Sequence, residues 1–273
     1  MGNKIQKILT VIQARTSSSR LPGKVMLKAL DRSLLSLMVE RVLRSRLAGA
    51  VVVATTGEPE DDIIEELCDK EGINCFRGNK TDLLDRHYKA AIEYDADIVV
   101  KVPSDCPLID HTIIDKVLDF YLKHINDYDY VSNLHPATYP DGNDVEAFSF
   151  SALHDAWKNA AKDYEREHTT PFIWDNPARF AIGNVECDNK ELDYSSTHRW
   201  TLDYEEDFKF IKSVYEELYP FNPDFRMSDI LCLVESRPYL KSINEKLAGI
   251  NWYRLHKNEL KTIKPVSGKQ MAF

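Results

Sequence analysis

Short apolar runs alternate with longer amphipathic stretches over the first half of the chain. The apolar runs have the length of buried strands, and they predict strands at residues 8–13, 50–54, 74–76, 98–102 and 130–133. The stretches between them have helical periodicity and predict helices at 34–47, 61–71, 81–94 and 112–124. Because strands alternate with helices, the pattern predicts βα units around a mostly parallel sheet.

The alternation of strands and helices ends after about residue 135. Pro136, Pro140 and Gly142 indicate turns there, and they precede an extended segment at 144–150. Helices are predicted at 151–161, 205–218 and 227–235, and a strand at 200–202. We expect one α/β domain over residues 1–263, in which 135–200 includes a small inserted lobe, followed by a mobile tail at 264–273.

Charge and cysteine content limit the classes of partner. The net charge of −9 argues against a nucleic-acid surface or an anionic membrane, since both need basic patches on the protein. The five cysteines are scattered and odd in number, and no C-x-x-C pair is present. This spacing indicates neither a zinc site nor a disulfide framework and fits a reducing cytoplasm. We therefore expect a cytoplasmic protein with no nucleic-acid or membrane partner.

The segment at 11–25, VIQARTSSSRLPGKV, has the most informative polar pattern. The first predicted strand ends there in a loop with three serines and three cations, Arg15, Arg20 and Lys24. In α/β proteins, a polar loop at the carboxyl end of a strand is a common binding site for polyanions. The alternative is a solvated turn with a fortuitous cluster of charge. The sequence has neither a P-loop nor a dinucleotide fingerprint, so side-chain charge must do most of any phosphate binding.

Two further predicted strands end in an aspartate. Asp105 stands between two prolines after the strand at 98–102, where it is either a Mg²⁺ ligand or the cap of a turn. Asp203 follows the strand at 200–202, where it is either a second metal ligand or, with Glu206, a helix capping box. The acidic run at 58–62 is explained by the start of the helix at 61–71, because carboxylates favour the positive end of a helix dipole.

Three motifs carry a resemblance to a known family. Ala14, Arg15 and the run RLPGK at 20–24 resemble the signature of the sugar-activating cytidylyltransferases, which include the CMP-Kdo and CMP-acylneuraminate synthetases. The run DCPL at 105–108 is similar to the D-x-P-L/F motif of that family, and Asp203 follows in the expected order. The resemblance is strongest to the branch of spore coat polysaccharide biosynthesis protein F.

The resemblance implies a fold, a reaction and a cofactor. The fold is a three-layer, Rossmann-like α/β fold of the nucleotide-diphospho-sugar transferase type, and the lobe at 135–200 would serve substrate binding or dimerisation. The reaction is transfer of CMP from CTP to a sugar acid, expected to be a 2-keto-3-deoxy acid, for surface polysaccharide synthesis. Arg15, Arg20 and Lys24 would bind the triphosphate as catalytic cations, and Asp105 and Asp203 would bind Mg²⁺. A homodimer is also implied.

Further residues are predicted to bind the two substrates. Four positions near predicted strand ends are assigned to the nucleotide: Gln13, Ala14, Arg77 and Ser104. The stretches at 139–146 and 166–171 resemble the P-x-G-x-D-V-E and R-E-H-x-T-P elements of the spore-coat branch, where the sugar is expected. The residues predicted to bind the sugar acid are Asp144, Glu146, Arg166, His168 and Arg199. A structural or dimer-forming loop is the alternative interpretation of these stretches.

Two other function classes remain open at this point. A glycosyltransferase that consumes a nucleotide-sugar would carry D-x-D after the middle strand, whereas Pro107 stands two residues after Asp105. A non-catalytic sugar-nucleotide-binding protein would lose the metal carboxylates or the loop cations, and all five are present.

Overall fold

The structure is a computed structural model that describes residues 5–188, 193–250, 252 and 258–262. The tail predicted at 264–273 lies outside the described residues. In chain order the strands are β1 (Ile8–Gln13), β2 (Lys28–Ala29), β3 (Arg32–Ser33), β4 (Ala50–Thr56), β5 (Asn74–Gly78), β6 (Ile98–Pro103), β7 (Tyr130–Ser132), β8 (Glu146–Ser149) and β9 (Ile182–Asn184). Seven of them form one sheet, and β2 pairs with β3 in a small hairpin.

The order of strands in the large sheet is β5-β4-β1-β6-β8-β7-β9. β5, β4, β1 and β6 are parallel, β8 is antiparallel to both β6 and β7, and β9 is parallel to β7. The chain first adds strands on one side of β1 and then crosses to the other side with β6. In such sheets, ligands bind at the carboxyl ends of the strands where the order reverses. This crevice lies between the loops that follow β1 and β6.

Helices pack on both faces of this sheet, which confirms the predicted α/β fold. They are α1 (Leu34–Leu43), α2 (Asp62–Glu71), α3 (Leu83–Glu93), α4 (His111–Lys123), α5 (Phe150–Asn159), α6 (Asp163–Glu167), α7 (Pro171–Trp174), α8 (Glu205–Leu218), α9 (Met227–Ser236) and α10 (Pro238–Ser242), with 3-10 turns at Lys24–Met26, Pro59–Asp61 and Glu245–Leu247. Several begin at capping side chains: Ser33 accepts from the Ser36 amide, and Asp82 accepts from the Asp85 amide. Such caps satisfy amides that the first helical turn leaves unpaired.

The segment at 135–200 is integrated into the main sheet. It supplies β8 and β9, together with the helices α5, α6 and α7. The strand predicted at 200–202 is wrong, because this stretch forms no ladder. It is an extended segment held by separate bonds: the Trp200 amide donates to the Asp141 carbonyl over 2.7 Å, and the Leu202 amide donates to the Asp105 carbonyl over 2.7 Å. The second of these bonds joins the two predicted metal-binding segments.

Three apolar clusters hold these layers together. One cluster lies under α1, α2 and α4, a second lies under α3 and α5, and the third joins α8 and α9 to the β2–β3 hairpin. The third cluster includes Trp200 and Leu202, which are almost completely buried. Burial of these two side chains therefore fixes the segment that precedes Asp203. Among the described residues, no helix is both long and apolar enough to cross a membrane.

Candidate active site

The loop after β1 is closed on itself by backbone hydrogen bonds. The Thr16 carbonyl accepts from the Ser18 amide over 2.9 Å and from the Gly23 amide over 2.8 Å. Gly23 has a φ of 67°, in the left-handed region that a residue with a side chain enters only at a cost. The loop therefore returns to its own start just before Lys24, in the crevice between β1 and β6.

Lys24 joins the loop to both predicted metal ligands. Its Nζ atom lies 2.9 Å from Oδ1 of Asp203 and 3.6 Å from Oδ2 of Asp105, and it donates to the Leu202 carbonyl over 2.7 Å. The Lys24 side chain is only 12% exposed. One ammonium group thus lies between two carboxylates that come from different parts of the chain.

Arg20 makes a second cationic contact with the same carboxylate. Its Nη2 atom lies 2.7 Å from Oδ1 of Asp203, and its guanidinium lies 5.5 Å from the centre of the Tyr204 ring. Burial alone would raise the pKa of Asp203, but the charges and hydrogen bonds of Lys24 and Arg20 outweigh it and lower this pKa. Asp203 is therefore an anion at neutral pH.

Arg15 lies apart from the group formed by Lys24, Arg20 and Asp203. Its Nη1 donates to the Lys80 carbonyl over 3.4 Å, and its Nη2 lies 4.0 Å from a Glu167 carboxylate oxygen. These contacts are long, and the Arg15 side chain is 34% exposed. The three predicted phosphate-binding cations therefore occupy two different places around the loop.

Asp105 and Asp203 fit a hard divalent cation that substrates help to coordinate. Mg²⁺ is usually bound by one or two protein carboxylates, with phosphate oxygens and water completing its shell. The Asp105 carbonyl accepts from the Leu202 amide and from the Thr201 hydroxyl, so the two segments are tied together. In the part of the chain that the structure describes, no three His, Cys, Asp or Glu side chains form a metal-binding group. These residues fit an open site rather than a closed protein cage.

The Arg199 side chain, which was predicted to bind substrate, is buried and paired with acidic residues of the protein. Its side chain is 1% exposed, and its Nε and Nη2 atoms bind both carboxylate oxygens of Asp207 over 2.9 and 3.0 Å. It also contacts Asp141 over 3.3 Å and Asp203 over 3.5 Å. In this structure the guanidinium is buried and paired within the protein, so it links Asp207, Asp141 and Asp203, and its contact with substrate stays a prediction.

Asp207 is a buried residue beside the candidate site whose contacts the sequence did not reveal. It is fully buried, and its Oδ2 accepts from the backbone amides of Asp203 and Tyr204 over 3.0 Å each. The predicted capping pair of Asp203 and Glu206 is therefore wrong by one residue, and the pair is Tyr204 with Asp207. The available signal was the spacing of Asp207, three residues after the helix N-cap.

Two of the predicted sugar-binding residues, Asp144 and Glu146, lie close enough for the charge of Glu146 to act on Asp144. Burial and the negative charge of Asp105 raise the pKa of Asp144 to about 7. Glu146 is 3% exposed and is held by the Lys101 ammonium over 2.7 Å, by the Tyr130 hydroxyl over 2.7 Å and by the Thr170 hydroxyl. The Glu146 carboxylate forms part of a buried hydrogen-bond network, and its contact with the sugar stays a prediction.

Within the R-E-H-x-T-P element, Arg166 binds the loop after β5. Arg166 donates to Asp82 over 2.6 Å and to the carbonyls of Trp157 and Ala160, and its contact with substrate stays a prediction. The His168 ring stacks on Trp252, with centroids 4.0 Å apart and an angle of 12° between the planes. This geometry favours the structural alternative for Arg166.

The residues predicted to bind the nucleotide also divide into two groups. Gln13 ends β1, Ala14 follows it, and Ser104 follows β6, so all three border the crevice. The Gln13 Oε1 atom is buried and has no hydrogen-bond partner among the described residues. Arg77 instead binds the carbonyls of Thr56 and Glu58 and two acidic side chains of α2. These contacts occupy its guanidinium in this structure, and its assignment to the nucleotide stays a prediction.

Comparisons with known proteins match most of the chain. A family model described as Cytidylyltransferase matches residues 9–226. The chain is 39% identical over 241 residues to the uncharacterized protein MJ1063 of Methanocaldococcus jannaschii, covering 88% of this chain and 96% of that protein. It is 30% identical over 236 residues to the spore coat polysaccharide biosynthesis protein SpsF of Bacillus subtilis, covering 85% of this chain and 95% of SpsF.

A solved structure matches the fold over nearly the same extent. The structure of a cytidylyltransferase from Leptospira borgpetersenii superposes on this chain with a TM-score of 0.82 at 32% sequence identity. The match covers 91% of this chain and 100% of that chain.

Proposed function

This chain belongs to the cytidylyltransferase family, and we propose that it transfers CMP from CTP to the hydroxyl of a sugar acid. The observation that carries the proposal is the convergence of Lys24 and Arg20 on Asp203, with Asp105 also within 3.6 Å of the Lys24 ammonium. Cations and carboxylates at one end of a parallel sheet are the groups that a triphosphate and its metal require.

The proposed reaction depends on positioning of the two substrates and on stabilisation of charge on the phosphates more than on covalent catalysis by the protein. The hydroxyl oxygen of the sugar forms a bond to the α-phosphorus of CTP, while the bond from that phosphorus to the oxygen bridging to the β-phosphate breaks. The hydroxyl proton passes to solvent water, and pyrophosphate carries away the electron pair of the broken bond. Lys24 and Arg20, which bind Asp203 in this structure, would bind the phosphates and stabilise the charge on pyrophosphate.

Asp105 and Asp203 would bind Mg²⁺ in this proposal. The ion supplies charge neutralisation on the phosphate oxygens when it is bound. The protein holds the Asp203 backbone in place before the ion binds. Asp207 accepts from the Asp203 amide, and Arg199 pairs with Asp207. A carboxylate held in this way loses less conformational entropy when it binds a metal ion.

The finer parts of the proposal rest on resemblance to relatives. The RLPGK signature at 20–24 favours a 2-keto-3-deoxy sugar acid as acceptor, and the similarity to SpsF supports a role in surface polysaccharide synthesis. We also propose a homodimer that works in the cytoplasm, where CTP is made. Arg166 pairs with Asp82 and Arg199 with Asp207 in this structure, so either arginine would have to change partner to bind the carboxylate of the acid.

Product analysis tests the proposal. We would incubate the protein with Mg²⁺, CTP and each of several 2-keto-3-deoxy sugar acids, and follow the mixture by phosphorus NMR and mass spectrometry. The proposal predicts a CMP-sugar and free pyrophosphate in equal amounts with one acid. Cleavage of CTP to CMP without a sugar adduct, or formation of an adduct from another nucleotide alone, would contradict it.

A further inference from the structure

Asp61 is a buried carboxylate that the acidic start of α2 does not explain. It is the last residue of the short helical turn after β4 and occupies the N-cap position of α2, yet its side chain accepts no bond from that helix. Asp61 is fully buried, whereas its neighbours Glu60 and Asp62 are exposed. An aspartate at an N-cap ordinarily accepts a hydrogen bond from an amide of its own helix. The hydrogen-bond partners of Asp61 lie outside α2 instead.

The Asp61 carboxylate binds the loop after β1 instead. Its Oδ1 accepts from the Thr16 amide over 2.7 Å and from the Thr16 hydroxyl over 2.7 Å. Its Oδ2 accepts from the hydroxyl of Thr56, the last residue of β4. One carboxylate therefore joins the end of β4 to the loop after the neighbouring parallel strand β1, and Asp61 and Thr16 are 45 residues apart in sequence.

Asp61 keeps its charge in this position. Burial would raise its pKa, but the hydrogen bonds from Thr56 and Thr16 outweigh burial and lower the pKa. Hydrogen bonds to an ionised acceptor are shorter and stronger than neutral ones. Two of the three bonds therefore attach the loop at Thr16, and the third attaches Asp61 to the end of β4.

The attachment continues through the backbone to Lys24. Thr16 is bound to Asp61 through its amide and hydroxyl, and its carbonyl accepts from the Gly23 amide over 2.8 Å. Gly23 directly precedes Lys24, whose ammonium contacts Asp203. Through Thr16, Asp61 therefore helps to fix both the start of the loop and the residue that precedes Lys24.

We propose that Asp61 is a positioning residue that holds the loop after β1 in the conformation that binds the nucleotide triphosphate. It does not touch the nucleotide, and it acts only through Thr16. The inference rests on the proposed function, since it assigns Asp61 a part in binding CTP. It predicts that CTP affinity depends on the bond between Asp61 and Thr16.

The test measures the affinity of the full chain for CTP with Mg²⁺ by calorimetry, which requires no sugar acid. Asp61→Ala is expected to weaken CTP binding about tenfold, the effect of losing roughly one charge-assisted hydrogen bond. Asp61→Asn retains an acceptor oxygen and should retain most of the affinity. Thr16→Val should weaken binding, whereas Thr16→Ser should bind nearly as the wild type does. Asp69→Ala is the matched control, because Asp69 is exposed on the same helix.

A second measurement follows the loop in the absence of ligand. Amide hydrogen exchange in residues 14–24 should accelerate in Asp61→Ala and in Thr16→Val, but not in Thr16→Ser or Asp69→Ala. If Asp61→Ala does not fold, the two Thr16 variants decide the question, since they leave the carboxylate in place.

The outcomes separate this inference from the proposed function. Wild-type affinity for CTP in Asp61→Ala and Thr16→Val, or unchanged exchange in the loop, would overturn the role of Asp61 and leave the proposed function intact. A wild-type protein that does not bind CTP would overturn the proposed function, and with it the link from the loop to the nucleotide.

Discussion

The Nζ atom of Lys24 lies 2.9 Å from Oδ1 of Asp203, although 179 residues separate the two in sequence. Lys24 comes from the loop after β1, and Asp203 from the segment that leads into α8. The contact exists because the Leu202 amide binds the Asp105 carbonyl, which brings this segment to the carboxyl end of β6. A phosphate-binding cation and two candidate metal ligands thus meet at one point.

Replacing Lys24 should abolish most of the activity. In Lys24→Met the ammonium that faces both carboxylates is lost, and with it a charge that would stabilise the departing pyrophosphate. Loss of one such electrostatic group typically lowers turnover by about 10²–10³-fold. The rate of pyrophosphate release checks this expectation. Lys28→Met is the matched control, because Lys28 is exposed on β2 and should leave the rate unchanged. Comparable rates in the two variants would refute the role given to Lys24.

Asp203→Asn should raise the Mg²⁺ concentration that gives half-maximal activity. The substitution removes a carboxylate that would bind the ion and leaves Arg20 and Lys24 without their anion. Asp105→Asn should shift the requirement in the same direction. Titration of the rate with Mg²⁺ measures both effects. Glu205→Gln serves as the control, since the Glu205 side chain is 70% exposed and pairs only with Lys209. A metal dependence unchanged in all three variants would exclude these carboxylates as ligands.

Arg199→Met should destabilise the fold. The Arg199 side chain is 1% exposed and binds both oxygens of the fully buried Asp207. Removing one partner of a buried ion pair leaves the other charge uncompensated, at a cost of about 3–5 kcal/mol. Urea unfolding followed by circular dichroism measures this free energy. The double variant Arg199→Met with Asp207→Asn should recover part of the loss. A decrease below about 1 kcal/mol in the single variant would show that the bonds from the Asp203 and Tyr204 amides and from Asn244 are enough to compensate the Asp207 charge.

His87 should contribute to loss of stability in acid. Burial, reinforced by the charges of Lys101 and Arg86, lowers the pKa of His87 from 6.5 to about 3. The unfolded chain binds a proton at this histidine below its ordinary pKa, and the folded chain does so only near pH 3. The contribution of His87 to stability is therefore present above pH 6.5 and is lost as the pH falls toward 3, at up to about 1.4 kcal/mol per pH unit.

Unfolding experiments between pH 7 and pH 4 test this expectation. The free energy of unfolding of His87→Gln should fall less steeply with decreasing pH than that of the wild type. His124→Gln is the control, because the His124 side chain is 44% exposed. Parallel curves for the wild type and His87→Gln would show that His87 does not stay neutral in the folded protein.

The periodicity of apolar residues, together with the polar residues at predicted strand ends, predicted the strands and helices that border the site well. The bounds predicted for β1 and α8 agree with the structure, because an unbroken apolar run and an acidic helix start are local signals. The meeting of Lys24 and Asp105 follows from a general property of parallel sheets, whose carboxyl ends lie along one edge. These features follow from local sequence signals and from the topology of parallel sheets, so they need little knowledge of individual side-chain contacts.

The partners of buried charges could not be predicted in this way. Arg199 and Arg166 are typical carboxylate-binding residues, but each is paired inside the protein, with Asp207 and with Asp82. The Arg166 partner lies 84 residues away in sequence. Similarly, Asp61 resembles an ordinary helix-start charge until the loop after β1 is placed beside it. Local sequence shows the charge of a residue, and only the tertiary fold shows its partner.

Pyrophosphate release in an omission series tests the central claim most directly. The complete mixture contains the protein, Mg²⁺, CTP and one of a panel of 2-keto-3-deoxy sugar acids. Parallel mixtures omit the acid or the metal ion, or contain ATP, GTP or UTP in place of CTP. The account predicts release only when CTP, Mg²⁺ and one acid are all present, and loss of that release in Lys24→Met. Release that needs no acid, or that proceeds equally with Lys24→Met, would contradict it.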